Sequence, residues 1–155
     1  MQIADQLMAI EAIKQLKARY FRLMDTKDWP ALRHVFADDA VFDARAALSM
    51  DGRGEPGRAA DSNDWVYRGG DAITQFIRDA IGASITVHHG HGHEVNILSA
   101  DHAEGVIAME DRIYEPSTLR CTLHGMGHYH ETYRRDGGQW RIHASRISRL
   151  YIVLG

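Results

Sequence analysis

Between residues 5 and 24 the apolar side chains Leu7, Ile10, Ile13, Leu16, Tyr20 and Leu23 recur at intervals of three and four. That spacing predicts a long helix with one buried face. A second, short helix is predicted to start at Asp28 as N-cap, with Pro30 in its first turn, where a missing N–H costs nothing, and to bury Leu32, Val35 and Phe36. Ala40-Val41-Phe42 reads as a short strand, and helical spacing resumes over 71–81 through Ile73, Phe76, Ile77 and Ala80. Beyond Gly82 the period drops to two. Strands are predicted over 84–98, 104–114, 119–133 and 139–153, and the linkers between them carry turn residues, most clearly Asp136-Gly137-Gly138.

Helices first and a meander of long strands afterwards is α+β grammar, with helices gathered on one face of an antiparallel sheet. A long twisted sheet closed on one side by helices forms a cone, and its mouth is a natural pocket. The stretch 51–70 interrupts the pattern with five glycines, one proline, many charges and the apolar island Trp65, Val66 and Tyr67. Together with 45–50 it reads as a long loop 45–70, a lid or binding segment if it is ordered, and plain disorder otherwise.

The length of 155 residues, 45% of them hydrophobic, suits a single domain spanning 1–155. A net charge of -3 without a Lys/Arg cluster argues against nucleic acid as a partner. The acidic start Met1-Gln2-Ile3-Ala4-Asp5 lacks the look of a signal peptide, and no run of 18 apolar residues occurs. The expectation is a cytoplasmic protein without a membrane partner. The one cysteine, Cys121, has no partner for an internal disulfide and reads as a small strand residue.

Candidate chemistry lies where polar residues occupy apolar positions. In the strand through 105–114, alternation puts Asp111 in a row with Ile107, Met109 and Ile113. A carboxylate there must be paired, hydrogen-bonded or protonated, so it is either a structural partner of Arg or His or a group with a useful pKa. The run Val87-His88-His89-Gly90-His91-Gly92-His93-Glu94 holds four of ten histidines. Strict alternation puts His89, His91 and His93 on the face of Val87, Val95 and Ile97 and leaves His88 with Thr86, but a bulge near Gly90 would reverse half of that assignment. A pocket histidine could act as general base. Three histidines on one face also raise a metal site, yet the His-x-His metal barrels place a glutamate further along than Glu94 and lack the helices predicted here, so no metal is expected. Tyr20 sits on the buried helix stripe and needs a hydrogen-bond partner, either protein or ligand. Asp25, poorly placed for a helix C-terminus, either serves the turn into Asp28-Trp29-Pro30 or reaches the pocket mouth. One of Arg146 and Arg149 could meet Asp111 across the sheet. There is no nucleophile elbow, Gly-x-Gly-x-x-Gly or phosphate loop, and no cofactor is expected.

The order of these pieces resembles the SnoaL-like branch of the nuclear transport factor 2-like superfamily. The carriers are Ile10-Glu11-Ala12-Ile13-Lys14, Tyr20-Phe21-Arg22 through Asp25 and Trp29, the histidine strand, Glu110-Asp111-Arg112, and Tyr133 through Asp136-Gly137-Gly138-Gln139-Trp140. Within the branch the motifs are most similar to bile acid 7α-dehydratases and more distantly to scytalone dehydratases. The resemblance implies a site made of Tyr20, Asp25, His88, Asp111 and Arg149 and a cofactor-independent dehydratase acting on a small hydrophobic carbonyl compound, polycyclic like a steroid or polyketide. In that reading His88, oriented by Asp111, is the base, Tyr20 binds the carbonyl oxygen, a protonated Asp25 assists the leaving hydroxyl, and Arg149 holds Asp111 ionised or binds a substrate anion. The family also contains ketosteroid-isomerase-type enzymes and non-catalytic binding or scaffold proteins, and it commonly forms dimers or trimers through the open sheet face.

Overall fold

A computed structural model describes residues 1–50 and 64–155. The chain runs α1 (Ile3–Asp25), α2 (Trp29–Arg33), β1 (Phe36–Asp43), β2 (Val66–Arg68), α3 (Gly70–Ile81), β3 (Ile85–Ile97), β4 (His102–Tyr114), β5 (Cys121–Asp136) and β6 (Gln139–Leu154). The strands form one sheet in the order β2-β1-β6-β5-β4-β3. Strands β3 to β6 are the expected antiparallel meander, whereas β1 enters parallel to β6. The result is the expected α+β architecture, a curled, unclosed sheet wrapped over N-terminal helices.

Helix α1 lies inside the curl, and Ile13, Leu16, Tyr20 and Met24 are buried there with Phe36, Leu32, Ile73, Ile107 and Ile142. The helix stripe was expected to continue to Leu7, but Leu7 is 61% exposed because the first two turns project beyond the sheet. In α2, Asp28 caps the helix through Ala31 N–H at 3.1 Å. The helix stops after five residues, so Val35 and Phe36 are buried beyond it, Phe36 already in β1. The expected loop 45–70 is corrected at its end: Val66, Tyr67 and Arg68 pair with β1 as β2, and Tyr67 stacks on Phe76 of α3 at 3.9 Å. Its middle, 51–63, lies outside the described residues. The β5–β6 turn uses Gly137 and Gly138 at φ +57° and +83°, a conformation that side chains other than hydrogen disfavour. Among the described residues no helix is long and apolar enough to cross a membrane.

Candidate active site

The register of β3 against β4 slips between Gly90 and Gly92. Before the slip Thr86 and His88 are buried; after it His93, Val95 and Ile97 take the inner face, and His89 and His91 stay exposed. Strict alternation therefore fails for the first half of the strand, and the bulge reconciles His88 with the inward set. Gly90 also lets α1 close in, since a β-carbon there would come within 2.7 Å of the Phe21 ring.

Asp25 ends α1 directly opposite His88. Its Oδ1 meets His88 Nδ1 at 2.7 Å, and its Oδ2 accepts the His88 backbone N–H at 2.8 Å. Thr86 Oγ1 donates to Asp25 at 2.9 Å, and Lys27 Nζ donates to Thr86 at 2.8 Å. Burial opposes ionisation of Asp25, but these hydrogen bonds, led by the His88 ring, outweigh it and hold the carboxyl below the usual carboxylate range. The expected protonated Asp25 is thus corrected to a carboxylate. A carboxylate only accepts, so Nδ1 carries a proton, and in the neutral imidazole the lone pair then sits on Nε2.

Asp111 faces inward in β4 and is the cross-strand neighbour of His88, yet it does not orient it. Its carboxylate is taken by Arg149 of β6 in a two-pronged pair, 2.6 and 2.9 Å, both partners buried. Arg149 Nε donates in addition to the Ala47 carbonyl at 2.8 Å. Arg146 points to the exposed side, which settles the choice between the two arginines. Gly125 on β5 makes room for the pair, since a β-carbon there would lie 2.4 Å from Arg149 Nη1 and 2.6 Å from Asp111 Oδ1.

Tyr20 is 1% exposed and its partner is a protein group, the Tyr129 phenol. Burial first, and Tyr129 second, push its pKa well up, so it stays a protonated donor. Above the two rings sits a pair that periodicity did not flag: Lys17 Nζ contacts Glu131 Oε1 at 2.6 Å, both side chains wholly buried. Burial lowers the Lys17 pKa to about 8 against the opposing pull of Glu131. Lys17 Nζ lies 3.5 Å from the Tyr129 centroid and 3.9 Å from that of Tyr20. Tyr133 and Ser145 donate to Glu131 at 2.6 and 2.8 Å. The signal was present in the chain: Lys17 stands four residues from Ile13 and three from Tyr20, and Glu131 alternates between Tyr129 and Tyr133.

Of the five expected site residues, the fold brings His88 to Asp25 and Asp111 to Arg149, and holds Tyr20 beneath them with Tyr129. The dyad borders a cleft of about 560 Å³ between α1 and β3, walled by Phe21 and Gly90. A larger cleft of about 1310 Å³ runs along another side of α1 and contains neither dyad residue, so chemistry and volume do not coincide. Among the described residues no group of three His, Cys, Asp or Glu is arranged to hold a metal ion.

A family model for the SnoaL-like domain matches residues 5–146. The chain is 25% identical over 150 residues to "Probable cyclase FGR4" of Gibberella zeae, covering 92% of each. Among solved structures, a scytalone dehydratase-like protein of Novosphingobium aromaticivorans superposes with a TM-score of 0.81 at 15% identity, covering 99% of this chain and 92% of the other. The hexachlorocyclohexane dehydrochlorinase LinA-type3 of Novosphingobium barchaimii superposes at 0.75 with 17% identity, covering 99% and 94%.

Proposed function

We propose, from the premise that this chain belongs to the SnoaL-like family, that it is a cofactor-independent lyase, a dehydratase for a small hydrophobic carbonyl compound of polycyclic type. The observation that carries this reading is the Asp25–His88 pair at the edge of a cleft, with the basic nitrogen of His88 left free by the Asp25 contact. Related names point the same way: a scytalone dehydratase-like protein and a dehydrochlorinase share the fold, and the names of both enzymes denote elimination chemistry.

In the proposed reaction His88 Nε2 removes a proton α or γ to the substrate carbonyl, and Asp25 stabilises the imidazolium that forms. The C–H electron pair becomes the new C=C bond as the C–O bond breaks. The imidazolium returns its proton to the departing hydroxyl, water leaves, and His88 is neutral again. One histidine serves as base and then acid, which fits a syn elimination and needs no protonated Asp25. Tyr20 and the Arg149–Asp111 pair are buried with their polar groups already committed, Tyr20 to Tyr129 and Arg149 to Asp111 and the Ala47 carbonyl, so in this reading they hold the site in place and leave the chemistry to the dyad.

The test is a thermal-shift screen with steroids, bile acid derivatives and flat phenols, each hit being followed by mass analysis. A product lighter by one water is expected, and His88→Ala is expected to lower turnover by about 10² or more. A loss below about tenfold in His88→Ala sinks the assignment. A product of unchanged mass converts it to an isomerase.

A further inference from the structure

The dyad cleft and the larger cleft beside it share a lining residue, Arg22. The larger one follows the α1 face from Asp5 through Ala12 to Arg19 and Arg22, over an apolar floor of Leu16, Val35 and Trp140. Its charged lining is three guanidiniums, Arg19, Arg22 and Arg135, against the single carboxylate of Asp5. In the dyad cleft the one carboxylate, Asp25, is already engaged by His88 and Thr86. The larger cleft is therefore cationic on a chain whose net charge is -3, while in the dyad cleft Arg22 balances Asp25.

Arg19 and Arg22 differ from the arginines that are fixed in ion pairs. Arg33 is paired with Asp38 and Asp71, Arg134 with Asp39 and Asp136, Arg112 with Glu110, and Arg149 with Asp111. Neither Arg19 nor Arg22 has an ion pair or a side-chain hydrogen bond among the described residues. Arg149, expected either to hold Asp111 ionised or to bind a substrate anion, has its guanidinium committed to Asp111 and the Ala47 carbonyl. A free guanidinium beside an apolar wall is the arrangement that recognises a carboxylate or phosphate.

We infer that the compound acted on at the His88–Asp25 dyad carries an anionic group, a carboxylate or phosphate ester, on an arm that passes Arg22 and reaches Arg19. The inference rests on the placement of the reaction in the dyad cleft. Asp25, Arg22 and Arg19 are three residues apart along one helix, so the arm spans about 9 Å beyond the dyad. The positive lining of the larger cleft steers an anion toward Arg22 and penalises neutral analogues.

The experiment compares 1-pyrenebutyrate with neutral 1-pyrenebutanol, which share ring and chain, by fluorescence titration of the purified protein at low salt. The carboxylate is expected to bind about tenfold tighter, with the preference shrinking as salt screens it. Arg19→Gln with Arg22→Gln should erase the preference, Arg22→Glu should abolish it alone, and both arginines are exposed, so the thermal midpoint should not move. In His88→Ala the preference should persist. 1-Pyrenebutyl phosphate in parallel names the arm's anion by the tighter binding. Equal binding of acid and alcohol, binding of neither, or a preference that survives the arginine variants overturns the inference. An arginine-dependent preference without turnover of any compound defeats the lyase reading and leaves the anion site standing; turnover of neutral compounds by the dyad, indifferent to both arginines, does the reverse.

Discussion

Asp25 accepts from three donors on the elements around it, and its charge is what those donors are built for. Its folded pKa lies below that of the unfolded chain, so between the two values the unfolded state binds more protons and stability rises with pH. The contribution is present above the ordinary carboxylate value and is lost as pH falls through the folded one. Asp25→Asn is therefore expected to flatten the acid limb of stability measured by urea unfolding from pH 5 to 2.5. At the Lys17–Glu131 pair, Lys17→Met leaves a buried carboxylate without its counter-ion and is expected to cost about 3–5 kcal/mol. Joint replacement with Glu131→Leu should restore much of it, and denaturant melts of the two variants give the comparison. Single residues were legible in the sequence where they broke a period: Asp111 among apolar neighbours and Tyr20 on the stripe both proved buried. Their partners were not legible, because Asp111 finds Arg149 and His88 finds Asp25 through contacts spanning 38 and 63 positions, which no local pattern encodes.

Elements were readable wherever amphipathic period and turn chemistry agreed. The β5–β6 hairpin starts and stops within a few residues of its expected bounds, since Gly137 and Gly138 supply the positive φ that the turn needs. β2 was hidden because three residues are too short for a period, and it exists only through pairing with β1. The overhang of α1 was hidden for the opposite reason: its stripe runs on past the sheet that would cover it. Leu7→Gln is accordingly expected to change stability by less than about 0.5 kcal/mol, whereas Leu16→Ala should cost about 2–5 kcal/mol. Thermal melts separate the two. Asp28→Ala should cost about 1 kcal/mol through loss of the α2 cap, read in the same assay.

At the scale of the molecule, the cone was legible from element order alone, while the sheet order was not. Strand β1 pairs with β2 on one side and on the other joins β6 in parallel, from Phe36 beside Ile142 to Asp43 beside Arg146. Charge also acts at this scale. With ten histidines and a net charge of -3 the chain crosses neutrality near pH 6.3, and light scattering should find its solubility minimum there. The parallel seam has a consequence in time. As a ribosome delivers the chain, β1 emerges early with Phe36 and Phe42 uncovered, and the surface that buries them is completed by β6, which follows β1 by about a hundred residues. Long-range pairing of this kind closes slowly and exposes apolar surface meanwhile. Nascent chains stalled before residue 139 should stay protease-sensitive and bind chaperones, and they should lose both properties together once β6 has cleared the exit tunnel.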